Sequence, residues 1–538
     1  MKLSSYFRYL ISMAAIGVMA ASQVAQAADP AAAAVAASEP VNAKEGSFYL
    51  QCDGAPNNMT GGESAARLLG AVTLLALFAP PPEGFDASKR KFGADGVAAC
   101  SALLSGDKQE GNPARRVGLM LGRALHQIEA TDYQAAIADV GKARAEAEAA
   151  GLMADPYYVR SRGRAFALIE AAALARMGRA AEARELALRD EALWKHAYFE
   201  LATRPNYDFA IPTGSAAEDR DMDWRSRAEA TFAVRHANRL DELGRFAEAA
   251  VMRDALVDFD RATTPDARRS VWIAQAVVSH ALAGDGVKAA ELAREARANF
   301  DKRQGEGKPE PSAAEYVELM DLYAVIQAAD AGDVKAARRL FSARSQWVGA
   351  SFGSVLEMNR RLRAGAAPDE LIGGLARDPE QLWKDRADTR MATMLAADKE
   401  NKALFWLIPS TLTAGAYEAL SKQVWRVDKS RILIKPKDPS KKKSALETLA
   451  LYGSDASVTF EALSLHAALL AQSRGHEGFV IMPVITERVI AAGILTGKRG
   501  DPGLPAALFN DAAAVIAELR QILPDPEALK ARRAAKAS

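Results

Sequence analysis

Apolar and polar positions change rhythm several times along this chain. Residues 10–21 form a largely apolar run behind Lys2 and Arg8, and Ala25-Gln26-Ala27 follows with the small-x-small pattern at which leader peptides are cut. The pattern predicts a signal peptide, residues 1–27, removed between Ala27 and Ala28. The run is too short to span a bilayer, and no Cys follows it to accept a lipid. Residues 28–46 are Ala-rich, broken by Pro30 and Pro40 and without a helical period, so they read as a linker. Residues 47–111 read as an N-terminal helical segment entered through a short strand at 47–51. The apolar stretch 65–80 inside it contains Arg67 and stops at Pro80-Pro81-Pro82, which suits a buried helix better than a membrane span.

From 112 to 385 apolar residues recur every three or four positions, the period of amphipathic helices. From 399 to 525 the pattern shortens and β-branched and aromatic residues become common. Residues 404–408, 424–427 and 432–434 read as strands, and 459–474 as a helix ended by Gly475. Residues 479–484 and 489–495 read as a hairpin, and 511–523 as a helix stopped by Pro524. Strands and helices in that order predict a small α+β domain. Residues 526–538 read as a basic, frayed tail. The predicted fold is thus mainly α, an array of helical hairpins over 112–385 followed by a small α+β unit.

A repeat runs through the helical part. A small or Gly residue is followed five positions later by Ala at Thr131/Ala136, Gly178/Ala183, Gly244/Ala249, Gly284/Ala289 and Gly332/Ala337. Seven positions before each turn residue stands another small or β-branched one: Ala124, Ala171, Ala237, Val277 and Val325. A residue that tolerates a left-handed backbone permits the tight turn, and the small pair lets two antiparallel helices approach. The segments "ATDYQAAI", "MGRAAEA", "LGRFAEAA" and "AGDVKAA" resemble the tetratricopeptide repeat over residues 112–345. That resemblance implies an α-solenoid whose groove binds a protein partner. The turns are spaced 47, 66, 40 and 48 residues apart, wider than the 34 of that family. Segments 203–215 and 302–312 read as inserted loops. The run "EALSLHAALLAQSRGHEGFVIMP" with the later "FNDAAAVIAEL" is similar to a small domain of bacterial envelope lipoproteins, a likeness that implies no activity.

Composition narrows the chemistry. Formal charge is +1 and stays near zero without Lys2 and Arg8, which argues against nucleic-acid binding. The two cysteines, Cys52 and Cys100, both follow the cleavage site. In an oxidising compartment they read as a disulfide, worth about 3–4 kcal/mol in the loop-entropy model, or else as two buried thiols that never meet. Asn58-Met59-Thr60 is a glycosylation sequon.

No complete catalytic constellation emerges. Gly349-Ala350-Ser351-Phe352-Gly353 fits the G-x-S-x-G elbow and makes Ser351 the one candidate nucleophile, but a helix rather than a strand is predicted before it. Asp219, Asp221 and Asp223 alternate as a calcium loop begins, yet Trp224 and Ala230 occupy the required Gly and Glu places, so they read as helix-capping acids. His126, His196, His236, His280, His466 and His476 lack zinc-site spacing, and Gly493 to Lys498 is one residue short of a phosphate loop. No metal or cofactor is expected. Residues 422–443 collect Lys422, Arg426, Lys429, Arg431, Lys435, Lys437, Lys441, Lys442 and Lys443 against Asp428 and Asp438, a candidate surface for anionic lipid or polymer, or else a solvated edge. The expectation is an exported, periplasmic-type, non-catalytic scaffold for a protein partner. The alternatives are an envelope hydrolase using Ser351 and an anionic-surface binder using 422–443.

Overall fold

The computed structural model describes residues 46–56, 85–105, 109–189, 191–203, 212–230, 232–264, 269–310, 312–400, 402–409, 413–428, 432–435, 446–452, 456–485 and 489–537. The expected signal peptide with its cleavage site at Ala27 and Ala28, the linker up to residue 45, the 65–80 run, the sequon and half of the 422–443 stretch lie outside them. The described chain is mainly helical, with a small antiparallel sheet near the C-terminus.

Residues 47–51, expected as a strand, belong to helix α1 (Phe48–Asp53). Ser47 caps it, Gly54 at φ 77° closes it, and Leu50 and Cys52 are buried, so local capping and tertiary burial outweigh the strand propensity of Phe and Tyr. Cys52 is disulfide-bonded to Cys100 of α2 (Gly93–Leu104), with both residues fully buried.

Five helical hairpins follow: α3/α4 (Pro113–Glu129, Tyr133–Ala149), α5/α6 (Arg164–Arg176, Ala180–Leu188), α9/α10 (Phe232–Glu242, Phe246–Thr263), α11/α12 (Ser270–Leu282, Gly286–Gly305) and α13/α14 (Ala313–Asp330, Val334–Ser342). Between the second and third lie α7 (Tyr198–Thr203) and α8 (Ala216–Ala228). The turn residues Thr131, Gly178, Gly244, Gly284 and Gly332 all have positive φ, from 64° to 84°. Each turn closes with the same two hydrogen bonds. At Gly284 the residue's own N–H donates to Ala281 O and the next N–H, of Asp285, donates to His280 O. This is the Schellman pattern, which satisfies carbonyls left free at a helix end. The ten small residues flanking the turns are all 0% exposed, so each pair of helices meets across them. Helix α12 runs to Gly305, into the segment expected to be a loop.

The C-terminal sheet has the order β1-β2-β4-β3-β5, with β1 Leu433–Lys435, β2 Glu447–Tyr452, β3 Gly478–Ile485, β4 Val489–Gly497 and β5 Asn510–Asp511. The expected hairpin is β3/β4, with Ile481 opposite Ile494. Two expected strands are not strands. Residues 404–407 form a 3₁₀ turn (Lys402–Leu407) in which Leu404 and Leu407, three apart, are both buried. Val424 ends helix α17 (Ala414–Val424), and Trp425 after it donates its indole N–H to Leu523 O at 2.7 Å. The supposed frayed tail is helix α20 (Pro526–Ala537), with Leu529 buried.

Both faces of this sheet are covered. Leu449, Leu451, Phe479, Ile481, Ala492 and Ile494 share a core with α17, α18 (Ala456–Ser473) and α19 (Ala512–Arg520). Val480, Met482 and Leu495 pack instead with Ala233, Met252, Leu256 and Phe259 of the third hairpin. The unit is therefore continuous with the helical array.

Between array and sheet the chain doubles back. Helix α15 (Phe352–Arg363) packs on α9 and α11, the first helices of their hairpins. Helix α16 (Pro379–Glu400) continues from it, and the 3₁₀ turn docks on α3, α5 and α7. There Phe405 tilts against His126 at 5.1 Å and lies 3.9 Å beneath the Arg90 guanidinium.

Candidate functional site

Ser351 sits at the N-terminus of α15 and caps it, its Oγ accepting from Ser354 N at 3.2 Å. That Oγ donates to Asp241 Oδ2 at 2.5 Å, and the same oxygen takes Arg253 at 2.7 Å. The preceding N–H groups of Gly349 and Ala350 donate to Glu318 Oε1 at 2.7 and 3.1 Å. No strand leads into the serine, its hydrogen bonds reach no imidazole, and Asp241 is already engaged by Arg253. The motif glycines serve packing: a Cβ on Gly353 would stand 2.2 Å from the Asp241 backbone carbon, and one on Gly349 3.0 Å from Glu315 Cα. Beside this loop Glu315 accepts from Gln275 at 3.1 Å. Burial pushes its carboxyl up to about 7, with the Glu318 charge adding to the rise and the Gln275 hydrogen bond opposing it. Sequence reasoning missed Glu315, because only the fold places it against this loop.

A second cluster lies where the array meets the C-terminal unit. A π-turn (Val159–Gly163) precedes α5 and carries Arg160. Its guanidinium donates to Glu461 Oε1 at 3.0 Å and to Lys195 O at 2.7 Å. Tyr157 stacks on Tyr417 at 4.4 Å. His196, at φ 70°, lies 2.7 Å from Glu518 Oε2, while Lys195 Nζ donates to Oε1 at 2.6 Å. Burial lowers the His196 pKa against the pull of Glu518, and the His196 hydrogen bond, outweighing burial, brings Glu518 down to about 2. A neutral imidazole donating through Nε2–H satisfies both. Strained backbone and paired charge collect here, and each charged group is matched by another. The arrangement fastens two parts of the chain together.

Of aspartates 219, 221 and 223, expected as capping acids, Asp219 stands in the first turn of α8, whose cap is Ser215, while Asp221 and Asp223 lie further inside it. They pair with Arg245, Arg225 and Arg227 respectively. Lys435 ends β1, while Lys437, Lys441, Lys442 and Lys443 fall outside the described residues. Among the described residues no three His, Cys, Asp or Glu side chains gather as metal ligands, and no helix is long and apolar enough to cross a membrane. A cleft of about 450 Å³ between α4, α5 and α6 is lined by charges that pair within it, Arg144 with Glu170 at 3.3 Å and Arg179 with Glu182 at 2.6 Å.

The remaining surface of interest is the face made by the first helices α3, α5 and α9. Helix α16 lies over it, held by one ion pair in each half. Arg386 reaches Glu242 at 2.6 Å and covers the Phe352 ring at 4.2 Å. Asp398 takes a two-pronged hydrogen bond from Arg176 at 2.6 and 2.7 Å. Burial lowers the Arg386 pKa to about 10, with Glu242 resisting. Between the anchors Ala387, Asp388, Thr389 and Arg390 are all exposed. Four consecutive residues cover every side of a helix, so one full turn of α16 stands clear. Compared with protein-family models, with curated proteins and with solved structures, the chain matches none of them.

Proposed function

We propose that this chain is an exported, non-catalytic helical-repeat scaffold, an α-solenoid of tetratricopeptide-like hairpins that binds a protein partner along the face of its first helices. The observation that carries the reading is the repeated turn: five hairpins share one closing geometry, one left-handed position and one pair of fully buried small residues. Hairpins of that kind stack into a long surface suited to extended segments or helices of other proteins. The basic start, apolar run and Ala25-Gln26-Ala27 support a periplasmic destination, and the Cys52–Cys100 bond fits an oxidising compartment.

Site-specific photocrosslinking of residues 28–538 in envelope extract tests the reading. Photoreactive side chains replace exposed residues of the first helices, such as Arg235 on α9 and Val317 on α13. The expected result is one dominant protein, caught from these positions and not from exposed positions on second helices. Capture that is empty, or independent of position, overturns it.

A further inference from the structure

The return segment holds the first-helix face unevenly. Before α16, Leu375 is fully buried; after it, Leu404 and Leu407 insert into the N-terminal core. Helix α15 approaches α9 so closely that Gly353 leaves no room for a Cβ. Helix α16 differs. Of its described side chains only Met394 and Asp398 are buried, while Leu382, Trp383, Met391 and Leu395 are half-buried. Its contacting positions form two groups, 382–386 and 391–398, on either side of the free turn. A 22-residue helix with so little apolar burial lies at the low-stability end of the structure. Both flanks stay pinned if it lifts.

Lifting has one specific cost. The Arg176 side chain is 0% exposed and that of Glu242 is 7% exposed, and taking the Asp398 and Arg386 counter-charges away from such buried ions is costly. Whatever takes the place of α16 must therefore present a cation to Glu242 and a carboxylate to Arg176. In α16 those groups are twelve residues apart, about 18 Å along a helix.

We infer that α16 is a displaceable strap occupying the partner site, and that the partner contributes a helix carrying a basic and an acidic residue about three turns apart in place of Arg386 and Asp398. This rests on the scaffold reading above and names the element that the scaffold recognises. The strap is tethered at both ends, so its effective concentration is on the order of millimolar. It excludes weak competitors and yields to a partner that supplies both charges and a better apolar face.

The test uses the mature chain and a fluorescent synthetic peptide of residues 379–400. In R386E/D398R both anchors become repulsive, so trypsin should cut within 379–400 while the rest of the chain persists. The peptide should bind this variant at least tenfold more tightly than the unmodified chain. Adding Arg176→Gln should abolish that gain, and a peptide carrying the same two reversals should not bind. Equal binding to both chains, or none to a folded and clipped variant, overturns the inference. Asp398→Asn, which removes one charge without repulsion, is run in parallel in case the double variant does not fold. A fixed strut would make it less stable with no gain in peptide binding, which again overturns the inference. Failure here with position-specific crosslinking intact removes the strap and leaves the scaffold. Peptide binding with empty crosslinking removes the protein partner and leaves the strap.

Discussion

Gly284 has φ 84° and open space where a Cβ would project, so replacing it tests backbone conformation alone. Gly284→Ala should cost about 1 kcal/mol, because a left-handed backbone penalises a Cβ by that order. Thr131 occupies the equivalent position with φ 64°, and Thr131→Gly should move the melting temperature the other way. Equal effects of one sign would show that the turns are not equivalent. These turns were legible in the sequence because the constraint is local: each needs a left-handed residue and, at fixed offsets, two residues small enough for helix contact. Glu315 was not legible, since its environment is assembled by Gln275 and Glu318 across two helices. Its folded pKa of about 7 exceeds the ordinary 4.5. Its contribution to stability is therefore full below 4.5 and is lost as pH rises through 7. Melting temperatures should show that decline, and Glu315→Gln should flatten it. An unchanged profile in the variant would exclude Glu315 as its source.

At the scale of elements, the fastening between array and C-terminal unit rests on α19 meeting the 194–197 loop. Glu518 is held at about 2 by His196 and Lys195, so its contribution is present above 4.5 and lost as pH falls toward 2. Half-exposure of the pair weakens that effect by solvent screening. Glu518→Gln should lower stability above pH 5 and converge on the unmodified chain as pH falls toward 2, which reduces acid sensitivity; an equal loss at every pH, pH 2 included, would assign Glu518 a packing role instead. The elements misread from sequence share one cause. Residues 47–51 and 404–407 are apolar and aromatic, as strands are, but they are too short for periodicity to decide. Burial of Leu50 with Cys52, and of Leu404 with Leu407, sets the helical turn in each case. Strand β2 was overlooked although Leu449 and Leu451 alternate inward, because the six-residue segment carries no flanking hairpin turn. Only residues 379–385 of helix α16 fell in the part read as helical, and neither the rest of it nor its place as a strap was legible, for its sequence holds no apolar stripe that points to a docking face.

At the scale of the whole molecule, sequence suggested an array and a separate α+β domain, each with its own core. Alternation along β3 shows two apolar faces but not what covers them. The structure sends Phe479 and Ile481 toward α18 and sends Val480 and Met482 toward α10. The α18 side also takes Tyr157, Leu201, Trp224 and Phe232 from the array. Cutting the chain after residue 409 would uncover these four together with Met252, Leu256 and Phe259. Fully burying one large apolar side chain contributes about 1.5–3 kcal/mol, so seven such losses come to roughly 10–20 kcal/mol, as large as the 5–15 kcal/mol that holds a typical domain. Residues 28–409 should therefore lack a cooperative melt and expose dye-binding apolar surface. The full mature chain should unfold in one transition, by both circular dichroism and calorimetry. A truncated chain that melts cooperatively would show two independent domains in contact, and the strap would then span a face that folds without the sheet.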